Sequence, residues 1–166
     1  MDAEKTHLIQ KSCADKFTER IDMVTDILDY LRNCPILSEF NMNVDFLGKN
    51  PHSLSISGRP STDILKKYTD GDTLEKSVYK LRLRLPFGID RNKNTENSVL
   101  AETLQKWVLE QSAKGILPDM GEDKVAINSE LIFLRDNVSY FSDTAVYGAE
   151  LALTFYKANE KGSKLC

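Results

Sequence analysis

Two long stretches in which apolar residues alternate with other residues constrain the fold of this chain most. They are 74-LEKSVYKLRLRLP-86 and 144-TAVYGAELALTFYK-157. An apolar period of two, held for that length, is typical of long antiparallel strands that bury one face. A third run, from Val125 to Phe133, has strand character too. The sequence therefore predicts one long central strand and a long C-terminal hairpin.

The first of these strands has one apolar face and one basic face. Successive side chains of a strand point to opposite sides of the sheet, so Lys80, Arg82 and Arg84 share the face opposite to the leucines. Three interpretations of this triplet stay open at this point. It is a solvated strand face, a surface that meets acidic groups of its own chain or of a neighbouring subunit, or a nucleic-acid patch.

Apolar residues at helical spacing predict two main helices. The first spans residues 15–32 and ends near Pro35, because the residue before a proline is pushed out of helical geometry. The second follows a polar loop from Asp90 to Asn97 and stops at Gly115. Their apolar stripes consist of Phe17, Ile21, Val24, Leu28 and Leu31 in the first helix and Leu100, Leu104, Trp107, Val108 and Gln111 in the second.

Two short apolar segments, 44–47 and 54–58, flank the turn-forming residues from Gly48 to Pro51 and predict a short hairpin. The order is then helix, short hairpin, long strand, helix and long hairpin. This order predicts an α+β fold with a mostly antiparallel sheet and two main helices packed on it. We expect a single domain over residues 15–157, an N-terminal arm over residues 1–14 and a short polar C-terminal tail over residues 158–166.

Composition makes several classes of function improbable. No apolar run approaches the ~20 residues of a membrane span, and the acidic N-terminus is not typical of a secretory signal. The three cysteines (Cys13, Cys34 and Cys166) and two histidines (His7 and His52) are scattered, so we predict no metal site, disulfide framework or cofactor. No Gly-x-Ser-x-Gly elbow occurs, and we expect no catalysis. The net charge of -3 does not favour nucleic acid.

Aromatic residues stand out in two predicted loops. Phe87 follows the proline that ends the central strand, and Tyr140 with Phe141 lies in the polar connection from Asp136 to Asp143. Such side chains either fold back on their own core or dock on another molecule. Both alternatives stay open.

Several short segments together resemble a known family. They lie between Ile27 and Tyr156, which is nearly the whole predicted domain. The segments are 31-LRNCP-35, 45-DFLG-48, 64-ILKKYTDG-71, 96-ENS-98, 107-WVLEQ-111, Gly115, 117-LPD-119 and Asp143-Thr144-Ala145-x-Tyr147. With them the chain is similar to the tail-terminator or minor capsid proteins of phages of Gram-positive bacteria and of phage-tail-like bacteriocins, some of which carry the name of a chloramphenicol resistance protein.

The resemblance implies a structural role in a phage particle or a related particle. Such a protein caps the head-proximal end of the tail, typically as a ring of six copies, and ends polymerisation of the tube and of any sheath. Its partners would be further copies of itself, the tail tube protein and, in some particles, sheath and neck proteins. It would be assembled in the bacterial cytoplasm, and DNA would only pass through the ring. Another head-to-tail connector is the nearest alternative, and a small-molecule acyltransferase that uses His52 is a more distant one.

A ring built from one kind of subunit needs two different surfaces that fit each other. We expect these contacts from the basic strand face and from the two polar loops, 86–97 and 136–143. The candidate subunit-interface residues are Lys80, Arg82, Arg84, Phe87, Asp90, Arg91, Tyr140 and Phe141.

Overall fold

The computed structural model of the protein describes residues 13–159, with side chains described for that range except 13–22, 135 and 136. Two α-helices and a short 3-10 helix combine with six strands. The helices are α1 (Cys13–Arg32), the 3-10 turn (Pro35–Leu37) and α2 (Arg91–Ala113). The strands are β1 (Asn41–Val44), β2 (Ser53–Ile56), β3 (Ser61–Lys67), β4 (Thr73–Pro86), β5 (Lys124–Tyr140) and β6 (Thr144–Lys157).

The six strands form one sheet in which β4 and β6 are central. The strand order is β1-β2-β4-β6-β5, and β3 pairs with β4 in line with β2. β6 pairs with β4 along its whole length, from Thr73↔Lys157 to Pro86↔Thr144. β5 and β6 form the long C-terminal hairpin. The predicted α+β class and the mostly antiparallel sheet are confirmed.

Both helices contribute to one core on one face of the sheet. Tyr79, Leu81, Leu83 and Leu85 of β4 are buried there, as the alternating pattern predicts. Residues Val24, Leu28 and Leu31 of α1 and Leu104 and Val108 of α2 join the same cluster, whereas the predicted contributions of Phe17 and Ile21 lie outside the described side chains. The two helices meet where Tyr30 packs on Trp107, with ring centroids 5.2 Å apart.

Helix α2 begins earlier than its apolar stripe. The side chain of Asp90 accepts a hydrogen bond from the backbone N–H of Asn92, which is an N-terminal cap, and the helix starts at Arg91. The predicted polar loop Asp90–Asn97 is therefore wrong, because only Asp90 lies outside the helix. The cap fixes where the helix starts, and the first turn needs no apolar side chain. Gly115 ends the helix at φ 76°, and Ile116 N–H donates to the carbonyl of Gln111.

The predicted hairpin near residue 50 is wrong, because β1 and β2 run parallel. Asn41 lies opposite Ser53 and Val44 lies opposite Ile56. Eight residues bring the chain back to the start of the pair, and both ends of this connection, Asp45 and His52, adopt positive φ values of 57° and 63°. Positive φ values are uncommon outside glycine, and the apolar pattern of the sequence does not predict them.

Strand β3 was not predicted, because all seven of its side chains are exposed and no buried face imposes a period of two. The predicted polar connection Asp136–Asp143 is also mostly wrong, since β5 continues to Tyr140 and only a short turn remains before β6. A register shift between Phe133 and Val138 interrupts the pairing of β5 with β6, and this irregularity hides the strand in the sequence.

The predicted arm, residues 1–14, lies outside the described residues except for Cys13 and Ala14, which belong to α1. The first two residues of the predicted C-terminal tail are hydrogen-bonded to the domain. Ala158 N–H donates to the carbonyl of Asp123, and Asn159 N–H donates to Asp72 Oδ1 at 2.7 Å.

Candidate interaction surface

The helices cover one face of the sheet, and the eight candidate residues lie on or beside the parts that the described helices leave uncovered. Lys80, Arg82 and Arg84 lie on the opposite face of β4, as predicted. The remaining five lie at the end of the sheet where β4 stops, α2 starts and β5 turns into β6. The structure therefore brings the two groups next to each other, at Arg84.

Arg84 differs from the other two cations because its side chain is used inside the chain. Its Nε donates to the carbonyl of Gly48 at 2.9 Å, and its Nη1 donates to Thr144 Oγ1 at 2.9 Å. Its guanidinium lies 4.6 Å from the ring centroid of Phe141. Arg84 thus joins the β1–β2 connection, the start of β6 and the final turn, and it acts as a structural residue of this end of the sheet.

Lys80 and Arg82 are exposed, and within the described part of the chain neither side chain forms an ion pair or a hydrogen bond. Glu150 of β6 lies directly opposite Lys80 in the register, and Gly148 lies opposite Arg82. One interpretation of the basic face was that it meets acidic groups of its own chain. Among the described side chains, neither Lys80 nor Arg82 has such an acidic partner.

Arg82 stands between two adjoining depressions on this uncovered face. The first, of about 370 Å³, is walled by Phe46 and Phe141. The second, of about 320 Å³, lies toward Lys80 and Glu150. Both depressions are lined by Asp45, Arg82 and Asn137, and we call the two together the open-face groove.

The floor of the open-face groove depends on a glycine. Gly148 of β6 lies beneath the side chain of Asn137, and a Cβ at this position would overlap the Asn137 amide. Asn137 belongs to the part of β5 where the register shifts, and its side chain lies over β6. Asp45 lines the rim, where its carboxylate accepts a hydrogen bond from Gly58 N–H at 2.9 Å.

Aromatic and aliphatic side chains are exposed at the adjacent end of the sheet. Phe87 contacts Tyr140 with ring centroids 4.8 Å apart, and Phe87 N–H donates to the carbonyl of Asp143. Tyr140 and Phe141 nevertheless remain 64% and 52% exposed. They fold back on their own chain in part only, and docking on another molecule stays a prediction. We call Phe46, Phe87, Ile89, Tyr140 and Phe141 the aromatic end.

Asp90 and Arg91 lie beside the aromatic end and differ in how their side chains are used. The Asp90 carboxylate is used as the cap of α2, whereas Arg91, the first helical residue, is exposed. Ile89, the residue before them, is fully exposed. An isoleucine in that state is unusual enough to indicate a contact surface when it stands beside other exposed apolar side chains.

Sequence reasoning missed Phe46, Ile89, Asp45 and Asn137. A local signal existed for Ile89, an apolar residue between Gly88 and Asp90 in a predicted loop. No such signal existed for Asp45 or Asn137, because their positions depend on the parallel β1–β2 pair and on the register shift in β5.

Of the two histidines, His52 lies within the described residues and His7 does not. His52, on which the acyltransferase alternative depends, ends the β1–β2 connection, and its ring packs edge-on against Phe40 at 5.4 Å. Its backbone N–H donates to the carbonyl of Arg84.

Among the residues of 13–159 that could be searched, no group of three or more His, Cys, Asp or Glu side chains is placed to hold a metal ion. Neither described helix is long and apolar enough to cross a membrane. A scan against models of protein families finds no match, and a search of curated proteins finds none either.

Proposed function

We propose that this protein is a structural subunit that caps the head-proximal end of a phage tail or of a phage-tail-like particle. In this role several copies, six in the arrangement typical of the resembled family, form a ring on the last layer of the tail tube. The ring ends polymerisation of the tube and of the sheath where one is present.

One observation carries the proposal beyond the resemblance, namely the aromatic end beside the open-face groove. Phe46, Ile89, Tyr140 and Phe141 are each more than half exposed, and they lie next to a sheet face with two exposed cations that have no partner among the described side chains. Exposed apolar side chains gathered in one region favour contact with another protein, because burying them in a partner removes apolar area from water. This supports a function based on assembly.

A head-to-tail connector would use a surface of the same kind, and the two roles differ in which neighbour is bound. A terminator binds the last ring of the tube, so its loss releases the control of tail length. A connector binds the particle above the tail, so its loss leaves tails of normal length without heads.

The test is to delete the protein in a producing strain and to measure tails by negative-stain microscopy. Overlong or ragged tails are expected, with normal length restored by the wild-type protein. Tails of normal length after deletion would contradict the proposal.

Variants of the aromatic end sharpen this test. The double substitution of Tyr140 and Phe141 by serine is expected to fail to restore tail length, because it removes apolar contact area. A matched control is Val99→Ser, which removes an apolar side chain that is 55% exposed on α2, away from the aromatic end. Equal rescue by both variants would argue against a role for the aromatic end.

A further inference from the structure

We propose that Arg84 is the positioning residue of the aromatic end, the surface that the proposed function uses for contact with other proteins. Its side chain holds the segment of Phe46 and the segment of Phe141 together, so the surface is formed before any partner binds. This role rests on the proposed function for what the surface binds, and it adds the residue that forms the surface.

The aromatic end is built from segments that are distant in the sequence. Phe46 belongs to the connection between β1 and β2, Phe87 and Ile89 follow β4, and Tyr140 and Phe141 lie where β5 turns into β6. Each of these side chains is at least partly exposed, so burial in the core does not hold them in place. A single surface therefore needs a group that ties the segments to one another.

Arg84 reaches two of these segments at once. On one side its Nε donates to the carbonyl of Gly48, in the connection between β1 and β2, at 2.9 Å. On the other side its Nη1 donates to Thr144 Oγ1 at 2.9 Å, and its guanidinium lies 4.6 Å from the ring centroid of Phe141. Among the described residues, no other side-chain hydrogen bond joins the β1–β2 connection to β4 or β6.

The turn between β5 and β6 also holds the third segment. Phe141 N–H donates to the carbonyl of Thr144 at 2.8 Å and closes this turn. Phe87 N–H donates to the carbonyl of Asp143 in the same turn, and the Phe87 ring packs on Tyr140. Fixing this one turn therefore fixes the segment after β4 as well.

The chemistry of a guanidinium suits this position. Its planar fork presents donors in different directions, so one side chain can bond acceptors on two segments, and its flat face packs on an aromatic ring. A lysine ammonium carries the same charge without the fork or the flat face. Both oxygens that accept from Arg84 are neutral, and hydrogen bonds from a charged donor are stronger than those between neutral groups. Loss of the guanidinium should release the segments and leave the core, on the other face of the sheet, intact.

Amide exchange in the purified full-length protein tests the positioning. In Arg84→Met the amides of Phe87 and Phe141 are expected to exchange at least about tenfold faster than in the wild type, because their turn loosens. The amides in the middle of α2 should exchange as in the wild type. Arg82→Met is the matched control, the same change two residues earlier on the same strand face. It should leave both amides unchanged, since no described hydrogen bond uses the Arg82 side chain.

Two further variants separate geometry from charge. Arg84→Lys keeps the charge and loses the fork, so the two amides should exchange nearly as fast as in Arg84→Met. Thr144→Val removes one acceptor and keeps the guanidinium, so a smaller increase at the same two amides is expected. Circular dichroism shows whether each variant is folded, and Thr144→Val decides the question if both substitutions of Arg84 unfold the chain.

The deletion strain tests whether this positioning matters for assembly. Arg84→Met is expected to leave tails overlong or ragged where the wild-type protein restores their length. Ser112→Ala controls for a loss of stability alone, because it removes a hydrogen bond to the N–H of Ser129 at the outer edge of β5. It is expected to restore normal length.

Three results would overturn the inference. One is wild-type exchange of Phe87 and Phe141 in Arg84→Met, whether or not tail length is restored, because the surface would then form without the guanidinium. Another is normal tail length with Arg84→Met despite faster exchange, because a preformed surface would then be unnecessary. The third is wild-type exchange in Arg84→Lys, which would contradict the role of the fork. Normal tail length after deletion of the protein would contradict the proposed function instead, and the exchange comparison would still decide whether Arg84 holds the surface.

Discussion

Gly148 shows how one small residue shapes the candidate interaction surface. The side chain of Asn137 occupies the space that any larger residue at position 148 would need. We expect Gly148→Ala to lower the free energy of unfolding by about 1–3 kcal/mol, because the new methyl group forces Asn137 and the irregular part of β5 to move. Urea unfolding of the purified protein measures the change.

Two further variants make this prediction specific. Gly88→Ala is the control, since no atom lies within 4 Å of the added Cβ, and its stability should match that of the wild type. Asn137→Gly is expected to recover stability when it is combined with Gly148→Ala, because the two changes share one space. Strict additivity of the two costs would refute the proposed overlap.

Asp72 and Tyr156 form a second residue-level contact, at the opposite end of the sheet. The Tyr156 hydroxyl donates to Asp72 Oδ2 at 2.6 Å. Donation to this carboxylate raises the pKa of Tyr156 to about 12, and accepting this hydrogen bond lowers the pKa of Asp72. The contact therefore adds stability above the ordinary pKa of Asp and below the ordinary pKa of Tyr.

The pH values at which this contribution is lost follow from the directions of the two pKa shifts. It disappears as pH falls through the lowered pKa of Asp72, and again as pH rises from 10.0, the ordinary value for Tyr, toward about 12. Tyr156→Phe should accordingly lower the melting temperature near neutral pH, with a difference that shrinks above about pH 10. Tyr140→Phe is the control, because no described hydrogen bond uses its hydroxyl. A constant difference at all pH values would contradict the prediction.

Residue-level roles were predictable only where they depend on alternation along a strand. The sequence places Lys80, Arg82 and Arg84 on one face correctly, but it treats the three as equivalent. The structure distinguishes Arg84, because Gly48 and Thr144 happen to lie beside it. Such partners are distant in sequence, and no local pattern records them.

At the scale of elements, α2 protects the outer edge of β5. Ser129 N–H donates to Ser112 Oγ at 3.1 Å, and Gln105 Nε2 donates to the carbonyl of Leu131 at 3.3 Å. Both backbone groups would otherwise be unpaired on a strand of 17 residues. Side chains of the helix thus close the middle of this edge against pairing with other chains.

We expect Ser112→Ala to lower the free energy of unfolding by about 1–3 kcal/mol, because it leaves the N–H of the buried Ser129 without its acceptor. Faster aggregation on warming, followed by light scattering, should accompany this loss. Ser98→Ala is the matched control on the same helix, since Ser98 bonds only within α2, and alanine favours helix there. Equal stability and equal aggregation of the two variants would refute the role of Ser112 at the edge of β5.

Elements with a buried face were predictable, and elements without one were not. β4 and β6 follow from alternation alone, whereas β3 has no buried side and was missed. The direction of β2 relative to β1 was wrong for a related reason. The turn residues Gly48 to Pro51 are typical of a hairpin, but Asp45 and His52 reverse the chain twice and leave the strands parallel.

At the scale of the whole molecule, the proposed contacts predict a pattern of hydrogen exchange. Residues 86–90 and 136–143 should exchange faster in the free subunit than in assembled particles, because partners cover the aromatic end only after assembly. The amides in the middle of α2 should exchange equally in both states. Unchanged exchange in both segments would contradict an assembly through the aromatic end.

The single tryptophan of the chain has a practical consequence for such experiments. Trp107 packs on Tyr30 between the two helices, on the far side of the sheet from Arg82. Its fluorescence should report whether the helical layer is intact and stay unchanged when copies associate. A dye attached near the aromatic end would report association instead, so the two signals together distinguish misfolding from association in a single sample.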